Sequence, residues 1–359
     1  MTKRRSNFLQ PRLGSAVALA GLLLWPGGLA AAEAGPAGAP VAGVPPADAA
    51  VIASVDGAPL AVGQVREIMR VTGAGPKGAA AALDLAIESQ LLYAEAVRRG
   101  LGEDPEVAAS VARDTKTLLV EQYVLSQHRG ELAARDPGSF HTGAAMSGKH
   151  GGVMSEAAQL GDLVKKLEKE AGERADLVLL PEVYQGAKPP DTPRGQLVVA
   201  RLSGEGILWA EVEDVERSVQ GLDPPLTGLP ALRFVRAIPP LAGKKLLYRE
   251  AEAALPSFRE DYERARARFV RATVTRRLLA LEVDARVSLG EEQLRAYYDA
   301  NPGRYGSADA PLPFEQAKGK VATDAGRDAR LKQRAALTGR LRAAAAVSVD
   351  QPLLESLGK

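Results

Sequence analysis

Apolar positions along this chain follow two periods, and each marks a different kind of element. Val51-Ile-Ala-Ser-Val55 is a short β-type run closed by Asp56-Gly57, which predicts a strand and a tight turn, and Val62 to Arg70 then reads as a helix. Leu83, Ile87, Leu91 and Ala94 recur at spacings of four and three, the mark of one helix face, and Gly100 stands where a C-terminal cap belongs. Asp104-Pro105-Glu106 opens the next helix, with Asp able to cap free amides and Pro preset for the first turn; this helix is expected to run to about Arg129. Glu156 to Ala171 predicts a charged amphipathic helix and Asp176 to Leu180 a short strand, before Pro181 and Lys188-Pro-Pro-Asp-Thr-Pro-Arg-Gly195 interrupt the pattern. Further on, Pro256 to Val283 predicts a long basic helix. Ser288-Leu-Gly-Glu291 reads as a capping box opening a helix over Glu291 to Ala300, and Phe314 to Ala346 reads as one long helix ending in the strand Val347-Ser-Val349.

The opening pattern occurs twice. At a constant offset of 147, Val51, Ala53, Gly57 and Val65 meet the identical residues Val198, Ala200, Gly204 and Val212. A second echo sets Leu91-Leu-Tyr-Ala-Glu-Ala96 against Leu246-Leu-Tyr-Arg-Glu-Ala251. The ends repeat as well, since a helix leading into Asp176 to Leu180 parallels the helix leading into Val347 to Val349. Units this long are a duplicated domain rather than solenoid repeats. The expected fold class is mainly α, with two similar helical lobes, a few short β-strands and a long C-terminal helix. The expected boundaries are a first module over 51–180, a Pro-rich linker over 181–197 and a second module over 198–357.

Composition locates the chain more than it defines its chemistry. Lys3, Arg4, Arg5 and Arg12 precede the apolar run Leu13 to Trp25, and Ala30-Ala-Ala32 offers a small-residue cleavage site, so residues 1–32 read as a signal peptide. Residues 33–50 are nearly all Ala, Gly, Pro and Val and read as a tether. The expected location is periplasmic or secreted. No later stretch approaches the ~20 apolar residues of a membrane span, so no stable membrane span is expected. Removing residues 1–32 takes away four basic residues and no acidic ones, turning a net charge of +2 into −2 and arguing against nucleic acid as a partner. With no cysteine, the fold must hold by packing alone.

On these residues the chain resembles the SurA/PrsA class of envelope foldases. Val51-Ile-Ala-Ser-Val-Asp-Gly57, Ala82 to Ala96 and Gly100-Leu-Gly-Glu-Asp-Pro-Glu-Val107 are similar to that family's N-terminal chaperone domain. Leu294-Arg-Ala-Tyr-Tyr-Asp-Ala-Asn-Pro-Gly-Arg-Tyr305 and Pro313-Phe-Glu-Gln-Ala317 are similar to the elements that flank its parvulin prolyl isomerase domain. The resemblance covers most of residues 51–355 and implies a helical chaperone module, here duplicated, acting on unfolded or extended polypeptide clients. It also implies that the closing helix, 314–346, can pack against an N-terminal segment distant in sequence and so complete the first lobe as well as the second. Only residues 302–312 separate the two flanking elements, and the corresponding gap in the first module is also short, so a parvulin domain has no place to fit.

Little other chemistry suggests itself. His141, Met146, His150 and Met154 lie within fourteen residues, soft ligands that suit copper, but their spacing matches no fixed ligand motif; no metal and no cofactor is assigned. His128 reads as an ordinary surface residue. Three histidines and no cysteine assemble no nucleophilic triad, and no catalytic residue is assigned. Charged runs such as Lys165-Lys-Leu-Glu-Lys-Glu170 read as solvated helix faces. The aromatic residues Tyr93, Tyr123, Tyr248, Phe258, Tyr262 and Phe269 fall at matching places in the two modules. They either pack the core or line a client-binding surface, where adaptable apolar contact suits many unfolded sequences. The functional expectation is an exported chaperone-like protein that binds extended apolar segments of unfolded or outer-membrane polypeptides without catalysis. The alternatives are a prolyl isomerase with a diverged catalytic part and a scaffold subunit of an envelope assembly.

Overall fold

A computed structural model describes residues 48–134, 156–180, 192–219, 230–307 and 310–358. The expected signal peptide, most of the tether, the His141 to Met154 loop and most of the Pro-rich linker lie outside the described residues. In chain order come β1 (Val51–Val55), β2 (Ala58–Ala61), α1 (Val62–Thr72), α2 (Ala79–Arg98), α3 (Pro105–Ala134), α4 (Glu156–Glu173), β3 (Leu177–Leu179), β4 (Val198–Leu202), β5 (Glu205–Leu208), α5 (Trp209–Val219) and α6 (Pro230–Glu282). These are followed by α7 (Glu291–Ala300), β6 (Gly306–Ser307), β7 (Ala310–Pro311), α8 (Phe314–Ala344), β8 (Val347–Val349) and α9 (Gln351–Leu357). The fold is mainly α with a few short strands.

The sequence repeat has a structural counterpart, position by position. The β1–β2 turn places Asp56 at φ 50° and Gly57 at φ 79°, and the β4–β5 turn places Ser203 at φ 49° and Gly204 at φ 87°. Two successive positive φ angles are what a two-residue hairpin needs to match strand twist, which is why a small polar residue followed by Gly stands at both. The hairpins share an irregularity, between Val51 and Ala53 in one and between Val198 and Ala200 in the other. Both run straight into a helix whose start is tied the same way. The Ala61 amide donates to Gln64 Oε1 at 3.2 Å, and the Leu208 amide donates to Glu211 Oε2 at 2.9 Å.

A third strand completes each sheet. In the order β2-β1-β8, Ala53 faces Val349 and Val55 faces Val347; in the order β3-β4-β5, Ala200 faces Leu179 and Leu202 faces Leu177. The third strand in each case comes from the other repeat, because β8 ends the second and β3 ends the first. Two compact units result, and they are not the contiguous modules 51–180 and 198–357. One holds residues up to Ala112 together with Arg266 onward; the other is drawn from the stretch between Arg113 and Ala265. The closing helix α8 lies wholly in the first of these.

In the first unit, Ile52, Val55, Leu60, Val65 and Ile87 form a core that Leu353 of α9 also enters. A second layer joins Leu92, Ala96 and Val107 to Val274, Leu278 and Leu337. Each Val, Leu or Ile among them contributes about 1.5–3 kcal/mol on full burial. In the second unit, Val199, Leu202, Ile207, Val212, Ile238 and Ala242 form the core beneath the sheet.

Several element ends differ from the sequence reading. Helix α7 is capped at Gly290, whose amide donates to Gln293 Oε1 at 2.8 Å, rather than by the Ser288/Glu291 box. Helix α6 begins at Pro230 and is two helical stretches meeting at a kink at Phe258 (φ −133°, ψ 20°), two residues past the expected start at Pro256. Helix α3 runs past Arg129 to Ala134 with a comparable break at His128. Helix α9 was not foreseen; the Asp350 carboxylate accepts from the Leu353 amide at 2.9 Å and starts it.

Candidate functional site

The two units divide the six candidate aromatic residues. Tyr93 on α2 and Phe269 on α6 belong to the first unit; Tyr123 on α3 and Tyr248, Phe258 and Tyr262 on α6 belong to the second. In the second unit the rings of Tyr123 and Phe258 are 6.1 Å apart and tilted by 42°. A hydrogen bond to the Glu252 carboxylate, aided by burial, pushes the Tyr248 phenol up to about 12. Lys116 Nζ stands 5.5 Å from the Tyr248 ring centroid. Burial and the nearby Glu250 charge raise Tyr123 as well. Four of the six residues therefore share one unit around α3 and α6.

Their exposure corrects the sequence reading for half of them. Phe258, Tyr262 and Phe269 are 4%, 8% and 3% exposed, so they are core side chains withdrawn from any docked segment. The reason was legible in the spacing: 258, 262, 265 and 269 form a single helical stripe, and Ala265 on it is 2% exposed. Tyr93 is half-buried, and one face of its ring is taken by the Arg271 guanidinium at 4.2 Å. Arg271 also donates to Gln90 Oε1 at 2.6 Å, and burial lowers it to about 10. Of the six, Tyr123 and Tyr248, both half-buried, keep surface to offer.

Sequence reasoning missed Glu121. It sits on α3 among Leu118, Leu119, Val120 and Val124, all buried, and burial alone pushes its carboxyl up to about 7. A carboxyl in that range is neutral in mild acid and charged in mild base. No local sequence signal gives this, because it depends on what packs around this one position of α3.

The first unit is tied by charge as well as by apolar packing. Arg99 bridges two buried carboxylates, Glu95 at 2.6 Å and Glu282 at 2.5 Å, while Arg98 also holds Glu95 and Arg286 holds Glu282. The hydrogen bond from Arg98 holds Glu95 below the usual carboxylate range, and that from Arg99 does the same for Glu282. Arg277 reaches Asp104 at 2.9 Å, fixing the start of α3 in the same unit. These groups are mutually satisfied and read as structural ties.

Helices α7 and α8 are joined by a short ribbon. Strands β6 and β7 pair through Gly306 and Pro311, the Leu312 amide donates to the Tyr305 carbonyl at 2.6 Å, and the Tyr298 hydroxyl donates to the Leu312 carbonyl at 2.6 Å. Tyr305, Phe314 and Leu294, each under 9% exposed, pack beneath it, with Tyr298 stacked on Tyr305 at 5.6 Å and edge-on to Phe314 at 5.7 Å.

Among the described residues no group of three or more His, Asp or Glu side chains is placed to hold a metal ion. The His141, Met146, His150 and Met154 set falls outside those residues. His128 is half-buried at the break in α3 rather than on an open surface. No described helix is long and apolar enough to cross a membrane. Comparison with known protein families, with curated proteins and with solved structures finds no match to this chain.

Proposed function

We propose that this chain is an exported, chaperone-like protein that binds extended apolar segments of unfolded envelope polypeptides and catalyses no reaction on them. The reading rests on the resemblance of residues 51–355 to the SurA/PrsA foldases and on the scaffold that carries it. The observation that carries it furthest is the α7–α8 ribbon, where the buried Tyr305 and Phe314 close directly the junction that in the resembled family holds the isomerase. A foldase scaffold without its catalytic insertion retains polypeptide binding as its activity. The half-buried Tyr123 and Tyr248 supply contacts suited to many sequences, since a ring gives broad apolar area and the phenol tolerates water.

The test is dilution of a urea-denatured outer-membrane polypeptide into buffer with and without the purified protein, followed by light scattering. Suppression of aggregation at near-stoichiometric ratio is expected. The double variant Tyr123→Ala, Tyr248→Ala should weaken binding of an extended apolar peptide by roughly tenfold. A protease-coupled assay on a short Xaa-Pro peptide should show no acceleration. Acceleration that scales with protein concentration and survives repurification would replace this reading with that of an isomerase.

A further inference from the structure

Each compact unit of this protein is built from both halves of the chain. Taking the halves as residues 48–180 and 192–358, the first unit pairs β1 of one half with β8 of the other and packs Leu92 and Val107 against Val274 and Leu337. Its ion pairs repeat the theme: Arg99 with Glu282, Asp104 with Arg277, and Glu88 with Arg334 at 2.6 Å all join one half to the other. The second unit pairs β3 with β4 and sets α4 against α6 at Gly172 and Gly243. There a Cβ on Gly172 would stand 2.6 Å from the Pro239 carbonyl oxygen, so the two backbones touch directly. The donation is reciprocal, because each half starts one sheet and finishes the other.

We infer that the two halves are one another's binding partners, held by these contacts independently of the peptide link between them, and that a complementary half from a second copy of this chain satisfies the same surfaces. Two observations carry this. The shared surfaces are cores rather than rims, with Leu92, Val274, Leu278 and Leu337 each under 5% exposed, and burial of that kind is what holds obligate partners together. The junctions are also equivalent, since β8 on β1 and β3 on β4 use the same register against strands related by the 147-residue repeat. Exchange of identical elements between copies is the low-cost route from such a closed chain to a dimer.

The experiment keeps the whole chain. A Gly/Ser segment with one specific protease site is inserted within residues 181–191, and the purified protein is cut. The halves should remain together on size exclusion, with circular dichroism unchanged. When isotopically light and heavy cut proteins are mixed, partly unfolded and refolded, native mass spectrometry should find mixed pairs in statistical proportion. The uncut protein refolded at rising concentration should give a dimer that gel-filters at twice the mass and dissociates only through unfolding. Gly243→Ala in the cut protein should weaken the pairing by on the order of tenfold. Separation of the halves into two folded pieces, or loss of structure on cutting, would overturn the inference.

Discussion

The contact between α4 and α6 makes a sharp prediction about one added methyl group. A Cβ at Gly243 would overlap the Glu168 carbonyl oxygen, lie 2.8 Å from the Glu168 carbonyl carbon and lie 2.9 Å from the Gly172 amide nitrogen. All three are backbone atoms, so no side-chain rotation relieves the overlap and the helices must separate. Alanine in a helix interior is favoured over glycine by about 1 kcal/mol, so a position without neighbours would gain stability. Overpacking a closed contact costs about 1–3 kcal/mol, and here the parting of two backbones also loosens the packing of Ala171 and Ala242, which are 2% and 0% exposed. The steric cost wins, and Gly243→Ala should destabilise by about 1–2 kcal/mol. Gly161 on α4 is the control, because nothing lies within 4 Å of a Cβ built there; Gly161→Ala should stabilise by up to about 1 kcal/mol. Urea titration followed by circular dichroism reads both as shifts of the midpoint in opposite directions. A Gly243→Ala protein at least as stable as the parent would refute the close crossing.

Other substitutions test other parts of the argument. Leu353→Ala should cost about 2 kcal/mol, the low end for a buried leucine because a terminal helix can settle inward, and proteolysis should then reach the segment after Val349 more readily. Glu121 is a carboxyl raised from 4.5 to about 7 in the folded state, so its contribution is present below pH 4.5 and is lost as pH rises toward 7. Glu121→Gln should therefore flatten the fall in stability across that window and melt higher than the parent at pH 8. Glu95 and Glu282 are shifted the other way, so their contribution is present above 4.5 and is lost as pH falls below it; acid unfolding of Glu282→Gln should show a shallower dependence on pH. An unchanged pH profile in either variant would contradict the assignment.

What could be read in advance was what local chemistry dictates. The two turns were legible because Asp56-Gly57 and Ser203-Gly204 carry backbone angles that few other residue pairs accept, but the short return strands β2 and β5 were not. Helices α2 and α3 were legible from periodicity and from Gly100 and Pro105 at their ends, whereas the first stretch of α6, from Pro230, was not read. Helix α9 was not, because seven residues show too little period and its start signal is the single carboxylate of Asp350. The fate of the aromatic residues was half legible. The stripe 258, 262, 265, 269 is a core spacing, whereas the cover over Tyr93 depends on Arg271, far away in sequence.

The pairing of the repeats lay beyond the local pattern for a physical reason. A strand such as Val347-Ser-Val349 advertises an alternating face, but any three-residue β edge with the same alternation can accept it. The choice between β1 and a strand nearer in sequence is made by packing. In this chain β8 reaches β1 because α8, which delivers it, buries Leu337 against Leu92 and Leu278, with the Arg334–Glu88 and Arg342–Asp84 ion pairs, the latter at 2.9 Å, setting α8 along α2. Even the polar side of the ladder is matched, Ser54 to Ser348 at 2.7 Å, and the Asp56 carboxylate accepts from the Ala346 amide at 2.8 Å. A duplicated sequence whose closing elements stayed at home would keep every local signal and lose all of these. The completion of the first unit by β8 is therefore written in pairs of residues more than two hundred positions apart, such as Ser54 with Ser348 and Glu88 with Arg334, where no window on the sequence can reach, whereas β3 meets β4 close by in sequence, Leu179 opposite Ala200.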